Sequence, residues 1–159
     1  MKRVGSVGSS QIYVFKVSLK GAPRIWRTVA LRGNHTLDDL HQVIYQAFDR
    51  YDEHLYSFYF PKPRRAGTKR GPAADEYTHP YAYEEAPLLS ETLPRDAAMT
   101  PLASLGLRVG QRFDYLFDFG DSWEHEITVE EIGGPVGRAR YPRIIEKRGG
   151  SPPQYPDVG

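Results

Sequence analysis

Between Phe113 and Val129 the chain alternates around the tripeptide Gly120-Asp121-Ser122. Phe113, Tyr115, Phe117 and Phe119 share one parity before the turn, and Trp123, His125, Ile127 and Val129 share one after it. The intervening positions are Asp114, Leu116, Asp118, Glu124, Glu126 and Thr128. Period two on both arms of a turn is the pattern of a half-buried antiparallel hairpin. A helix would instead repeat its apolar positions at three and four. A chain carrying this segment must build a sheet around it, aromatic face inward and acidic face outward.

The rest of the chain supplies the partners. Gln11 to Lys20 alternates through Tyr13, Phe15, Val17 and Leu19, breaks at Gly21-Ala22-Pro23, and resumes from Arg24 to Leu31, which predicts a second hairpin. Thr36-Leu37-Asp38-Asp39 has the spacing of a capping box, so a helix should start there. Leu37, Leu40, His41, Ile44, Ala47 and Phe48 then form its apolar stripe. From His54 to Phe60 the period returns to two, predicting a strand with His54, Tyr56, Phe58 and Phe60 on one face. Residues 61–101 hold seven prolines, a basic run and then an acidic run, which predicts an insertion with at most one short strand near Leu88 to Leu93. A helical turn after Thr100-Pro101, a strand over Arg138 to Ile145 and a proline-rich tail complete the order. We expect one domain over residues 1–159: hairpin, helix and strand at 11–60, the insertion at 61–101, the acidic hairpin and final strand at 102–148, and the tail at 149–159. The expected class is α+β, a mixed and mainly antiparallel sheet wrapped on one principal helix in a β-grasp-like arrangement.

Charge and composition narrow the function. The 159 residues carry 21 Lys and Arg against 20 Asp and Glu, too even a balance for attachment to nucleic acid or membrane by bulk electrostatics. Cysteine is absent, which removes disulfides, thiolate nucleophiles and Cys-ligated metals. No apolar run is long enough to span a bilayer, and the first residues lack a secretory apolar stretch, so a soluble cytoplasmic protein is expected. No phosphate-cradling glycine loop, Walker-type lysine or serine-hydrolase elbow is present.

Three constellations could carry chemistry. His41, His54 and His125 each fall on the apolar face of a different element, and three imidazoles meeting at one point could hold zinc, manganese or iron in a hydrolytic site. The alternative is that each is a hydrogen-bonded core histidine. Seven acids and no Lys or Arg lie between Phe113 and Gly137, and like charges on neighbouring strands repel. Asp118, Asp121, Trp123, Glu124 and Glu126 are therefore candidates for contact with a protein partner. The internal runs Lys62 to Arg70 and Arg138 to Arg148 could also neutralise that face. Arg64, Arg65, Arg138, Arg140 and Arg143, near Tyr141 and Tyr155, are candidates for nucleic-acid contact.

Arg24-Ile25-Trp26-Arg27, Thr36 to His41, His54 to Phe58 and the run Phe117-Asp118-Phe119-Gly120-Asp121-Ser122-Trp123-Glu124-His125 occur in the order seen in the Ri-plasmid ORF-three-like family, which the chain resembles over about residues 11 to 156. Members of that family occur on plasmids, as passengers of mobile elements and on chromosomes, and some carry a resolvase-like label. A serine recombinase needs a serine among arginines and a separate helix-turn-helix, and neither pattern is found here. Many members end in Pro-Pro-Glu-Asp where this chain has Pro152-Pro153-Gln154-Tyr155. The resemblance implies a fold rather than an activity. The expectation is a non-enzymatic binding or accessory module with a protein partner. A three-histidine metal-dependent hydrolase and a nucleic-acid-binding accessory protein are the alternatives.

Overall fold

The structure, a computed structural model, describes residues 10–62, 74–81, 94–134 and 139–155. Strands β1 (Ile12–Leu19) and β2 (Ala22–Arg32) pair antiparallel, and Tyr13, Phe15, Val17 and Leu19 are buried as their alternation requires. Helix α1 (Leu37–Ala47) begins at a reciprocal cap. The Asp39 amide donates to Thr36 Oγ1 at 3.2 Å, and the Thr36 amide donates to an Asp39 carboxylate oxygen at 2.8 Å. Two amide donors that a helix start leaves open are thereby satisfied. Leu37, Leu40, His41, Val43, Ile44 and Ala47 form the buried stripe of α1.

The remaining strands are β3 (Tyr56–Pro61), β4 (Ala74–Thr78), β5 (Arg95–Asp96), β6 (Arg112–Phe117), β7 (Trp123–Gly133) and β8 (Arg143–Arg148). All eight strands join in one sheet of order β5-β4-β3-β6-β7-β1-β2-β8, antiparallel throughout except for the β4–β5 pair. The acidic hairpin is β6 and β7, in the centre of that order. Phe15, Tyr56, Phe58, Phe113, Tyr115 and Phe117 are almost wholly buried in the core beside residues of α1. Each such ring contributes up to about 3 kcal/mol by burial.

The β-grasp-like expectation is overturned. The sheet extends past β3 because the segment read as an insertion supplies β4 and β5, and past β2 because β8 adds a further edge. The alternation of Tyr77 and Thr78 with their neighbours is too short a signal beside so many prolines to mark β4 from sequence. In the structure Ser57 Oγ fixes it by donating to the Glu76 carboxylate at 2.8 Å, and Thr78 Oγ1, 3.0 Å from Ser57 Oγ, donates to the Tyr56 carbonyl at 3.0 Å. The strand expected near Leu88 to Leu93 lies outside the described residues. His54 precedes β3 rather than lying on it. β8 starts after Pro142, which has no amide proton to give to β2, and residues 139–142 of the expected strand lie outside it.

Past β8 the chain crosses close to β2. At Gly149, φ is 77°, and a Cβ there would lie 3.0 Å from the Ile25 side chain and 3.2 Å from the Arg24 carbonyl oxygen. Only glycine passes this point without displacing backbone, and it sends residues 151–155 back toward the end of α1. Among the described residues no helix is long and apolar enough to cross a membrane.

Candidate functional site

Helix α1 stops at Ala47, and Asp49, at φ 56°, turns the chain so that Arg50 enters the interior. Arg50 is 8% exposed, and its guanidinium carbon lies 5.1 Å from the Phe48 ring, 4.9 Å from Phe117 and 5.6 Å from Trp123. Nη2 donates to His125 Nε2 at 2.8 Å. A guanidinium has no acceptor, so His125 Nε2 must be unprotonated, and Nδ1 carries the hydrogen donated to the Tyr115 carbonyl at 3.2 Å. Burial, then the Arg50 charge, holds the His125 pKa well below the usual imidazole range. Burial lowers Arg50 to about 10, which leaves it charged at neutral pH.

A second chain of hydrogen bonds runs beside the first. His41 Nε2 meets Glu53 at 3.1 Å, and His41 Nδ1 meets the Tyr115 hydroxyl at 2.6 Å. A carboxylate can only accept, so His41 Nε2 carries the hydrogen of its contact with Glu53. The hydrogen bond from His41 keeps Glu53 below the ordinary carboxylate range. His41 stacks on Tyr56 at 3.9 Å between centroids, and the Tyr56 hydroxyl donates to Asp38. Burial pushes both Tyr115 and Tyr56 far up, so neither phenol ionises near neutrality.

The three histidines surround Phe117 and Tyr115 without sharing a ligand point. The rings of His41 and His54 each lie 5.8 Å from Phe117, and His125 lies 5.0 Å from Tyr115. Yet His125 faces a cation, His41 faces Glu53 and Tyr115, and His54 Nε2 contacts the Tyr155 hydroxyl at 2.6 Å and Asp118 at 3.5 Å. Among the described residues no group of three or more His, Cys, Asp or Glu is placed to hold a metal ion. Parity selects a face, whereas coordination needs lone pairs aimed at one centre.

Residues 151–155 form a strap over the 48–54 segment. Ser151 Oγ donates to the Phe48 carbonyl at 2.7 Å. The buried Gln154 side chain accepts from the Tyr51 and Asp52 amides at 2.9 and 3.1 Å and donates to the Asp52 carbonyl at 2.8 Å. Trp123 Nε1 donates to the Gln154 carbonyl at 3.2 Å. Beside the strap, Leu19, Lys20, Ala22, Asp121, Ser122, Trp123, Glu124 and Pro152 line a cleft of about 390 Å³.

The predicted partner-binding residues separate accordingly. Asp121, Trp123 and Glu124 line the cleft. Glu126 lies on the outer sheet face, 4.0 Å from Arg112. Asp118 does not share that outward face: at φ 63° it turns inward after β6, is 7% exposed, and accepts from the Gly120 and Asp121 amides. Among the described residues the acidic face is paired with Lys20, 2.9 Å from Asp114, and with Arg112. Arg140 and Arg143 are exposed, Arg143 on the sheet edge in β8. Arg64, Arg65 and Arg138 lie outside the described residues.

Residues 11–159 match the family model described as plasmid pRiA4b ORF-3-like protein. The chain belongs to this family. A relative within reach of this pRiA4b ORF-3-like chain is the uncharacterized protein y4hQ of Sinorhizobium fredii, 31% identical over 138 residues. That match covers 86% of this chain, and the chain spans 60% of the relative's length. Among solved structures, a protein of unknown function from Methanosarcina mazei Go1, MM3350, is similar with a TM-score of 0.70 at 24% identity, over 91% of this chain and 72% of that one. The fold is shared. The site residues that sequence reasoning missed in this pRiA4b ORF-3-like chain are Arg50 and Gln154. Nothing around Arg50 marks it, because its burial depends on the turn at Asp49. Gln154 was signalled only as a departure from the Pro-Pro-Glu-Asp ending.

Proposed function

We propose that this chain is a non-enzymatic binding module whose cleft takes a Lys or Arg side chain of a protein partner. The observation that carries this reading is the pairing, in one cleft, of the Trp123 ring with the carboxylates of Asp121 and Glu124. A basic side chain has an apolar stem and a cationic head. Leu19, Ala22, Pro152 and Trp123 suit the stem, and the two carboxylates with the indole suit the head. Against catalysis stands the state of the interior groups. His125 is held neutral, Tyr115 and Tyr56 are held protonated, and each already has a hydrogen-bond partner, so none is poised for proton transfer near pH 7.

The test is fluorescence anisotropy with labelled pentapeptides of sequence Gly-Gly-X-Gly-Gly, X being Arg, Lys, norleucine or Glu. The Arg and Lys peptides should bind with affinity that falls with salt. Asp121→Lys with Glu124→Lys should weaken them at least about tenfold through like-charge repulsion. Equal affinity for the norleucine or Glu peptide, or an unchanged double variant, would refute the reading.

A further inference from the structure

Two arginines enter the interior, and their surroundings differ. Arg27, 2% exposed, donates through Nε to the Ala47 carbonyl at 2.7 Å and through Nη1 to the Trp26 and Arg148 carbonyls at 2.9 and 2.8 Å. It thereby places a cation at the negative end of α1. Arg50 has no such arrangement. Its Nη1 is the one buried side-chain nitrogen or oxygen without a hydrogen-bond partner among the described residues. None of the ion pairs formed by the described residues includes Arg50. Its neighbours are three aromatic rings and a neutral imidazole.

A buried cation lacking a counter-ion is costly, and an unpaired N–H beside it adds to the cost. Aromatic walls with little solvent also strengthen attraction to any anion that enters. The strap gives that anion a route, because it is held by hydrogen bonds that water can replace, from Ser151 to Phe48, from Trp123 to the Gln154 carbonyl, and between the Gln154 side chain and the backbone of Tyr51 and Asp52.

We propose that Arg50 is the recognition residue of an oxyanion site, for a carboxylate or phosphate group of a ligand, formed between Phe48, Phe117 and Trp123 and roofed by the strap at 151–155. The oxyanion pairs with Nη1 while Nη2 stays on His125, and the strap closes over it. Trp123 and Pro152 border both this site and the cleft, but Arg50 does not line the cleft and Asp121 and Glu124 take no part here, so Arg50→Lys and the Asp121→Lys, Glu124→Lys pair test the two readings apart.

The sequence has two tryptophans, so Trp26→Phe leaves Trp123, whose ring touches Arg50, as the sole indole reporter. That protein is titrated with inorganic phosphate or with sodium acetate at pH 7, ionic strength being held constant with sodium chloride. A saturable change in Trp123 emission with either anion is expected: phosphate alone assigns a phosphoryl ligand, acetate alone a carboxylate. Arg50→Lys, which keeps charge but loses the forked donor, should weaken binding at least about tenfold. Gln154→Ala should speed binding by loosening the strap. A linear, unsaturable response to both anions overturns the proposal, since a buried water on Nη1 would give that result. So does unchanged affinity in Arg50→Lys. Should Arg50→Lys not fold, the arginine Nε–H resonances of the Trp26→Phe protein decide: one arginine signal must shift saturably with anion while the others stay still.

Discussion

Arg50 donates to His125 at 2.8 Å, and this contact between two buried groups fixes the histidine as a neutral ring. Stability should therefore depend on acid in a definite sense. In the folded chain His125 is held well below its ordinary pKa and His35 is lowered as well, first by burial. Once unfolded, both take up protons near pH 6.5. The unfolded state thus binds more protons just below pH 6.5, so stability falls as pH drops, by up to about 1.4 kcal/mol per pH unit for each group. Glu53, held below its ordinary range, adds its own loss only at lower pH. Urea unfolding at pH 7, 6 and 5 should show this slope, and His125→Gln, which keeps an acceptor for Arg50, should reduce it. Parallel slopes in the two proteins would mean that His125 titrates normally in the fold.

The two interior arginines should respond oppositely in magnitude to the same truncation. Arg27→Met strips three carbonyls of their donor, including the one at the end of α1, and should cost about 3 kcal/mol or more. Arg50→Met removes an uncompensated buried cation and an orphan N–H, and leaves only His125 Nε2 without a donor. Its cost should be below about 1 kcal/mol, and a gain is consistent with the same reasoning. Equilibrium denaturation of the two variants beside the parent decides the order. A larger loss for Arg50→Met would contradict this account of its surroundings.

Patterns of period two and of three and four were legible because each reports which face of an element is buried, and Tyr13 to Leu19, α1 and the β6–β7 hairpin follow them. The capping box at Thr36 was legible because both partners sit three residues apart in sequence. Long-range placement was not. β4 is secured by Ser57, about twenty positions away, and β8 meets β2 more than a hundred positions back, so local composition could not give the sheet order. The histidine cluster was half legible. Parity brought His41 and His125 to one face, but Arg50 and Glu53, which decide what those rings do, come from a segment without regular period.

Gln154 offers the last expectation, on the hold of the strap. Its side chain satisfies the amides of Tyr51 and Asp52 and the carbonyl of Asp52. Gln154→Ala leaves all three to water and should release the strap, so that the Tyr51 and Asp52 amides exchange at least about tenfold faster with solvent deuterium. Gln154→Glu keeps the one oxygen that accepts from both amides and replaces the donor to the Asp52 carbonyl with a second oxygen. It should therefore retain most of the protection at Tyr51 and Asp52, which two charge-assisted bonds to backbone amides would sustain. Amide exchange followed by NMR in the three proteins separates these outcomes. Equal exchange in Gln154→Ala and the parent would show that Gly149, Ser151 and the Trp123 contact hold the strap without it.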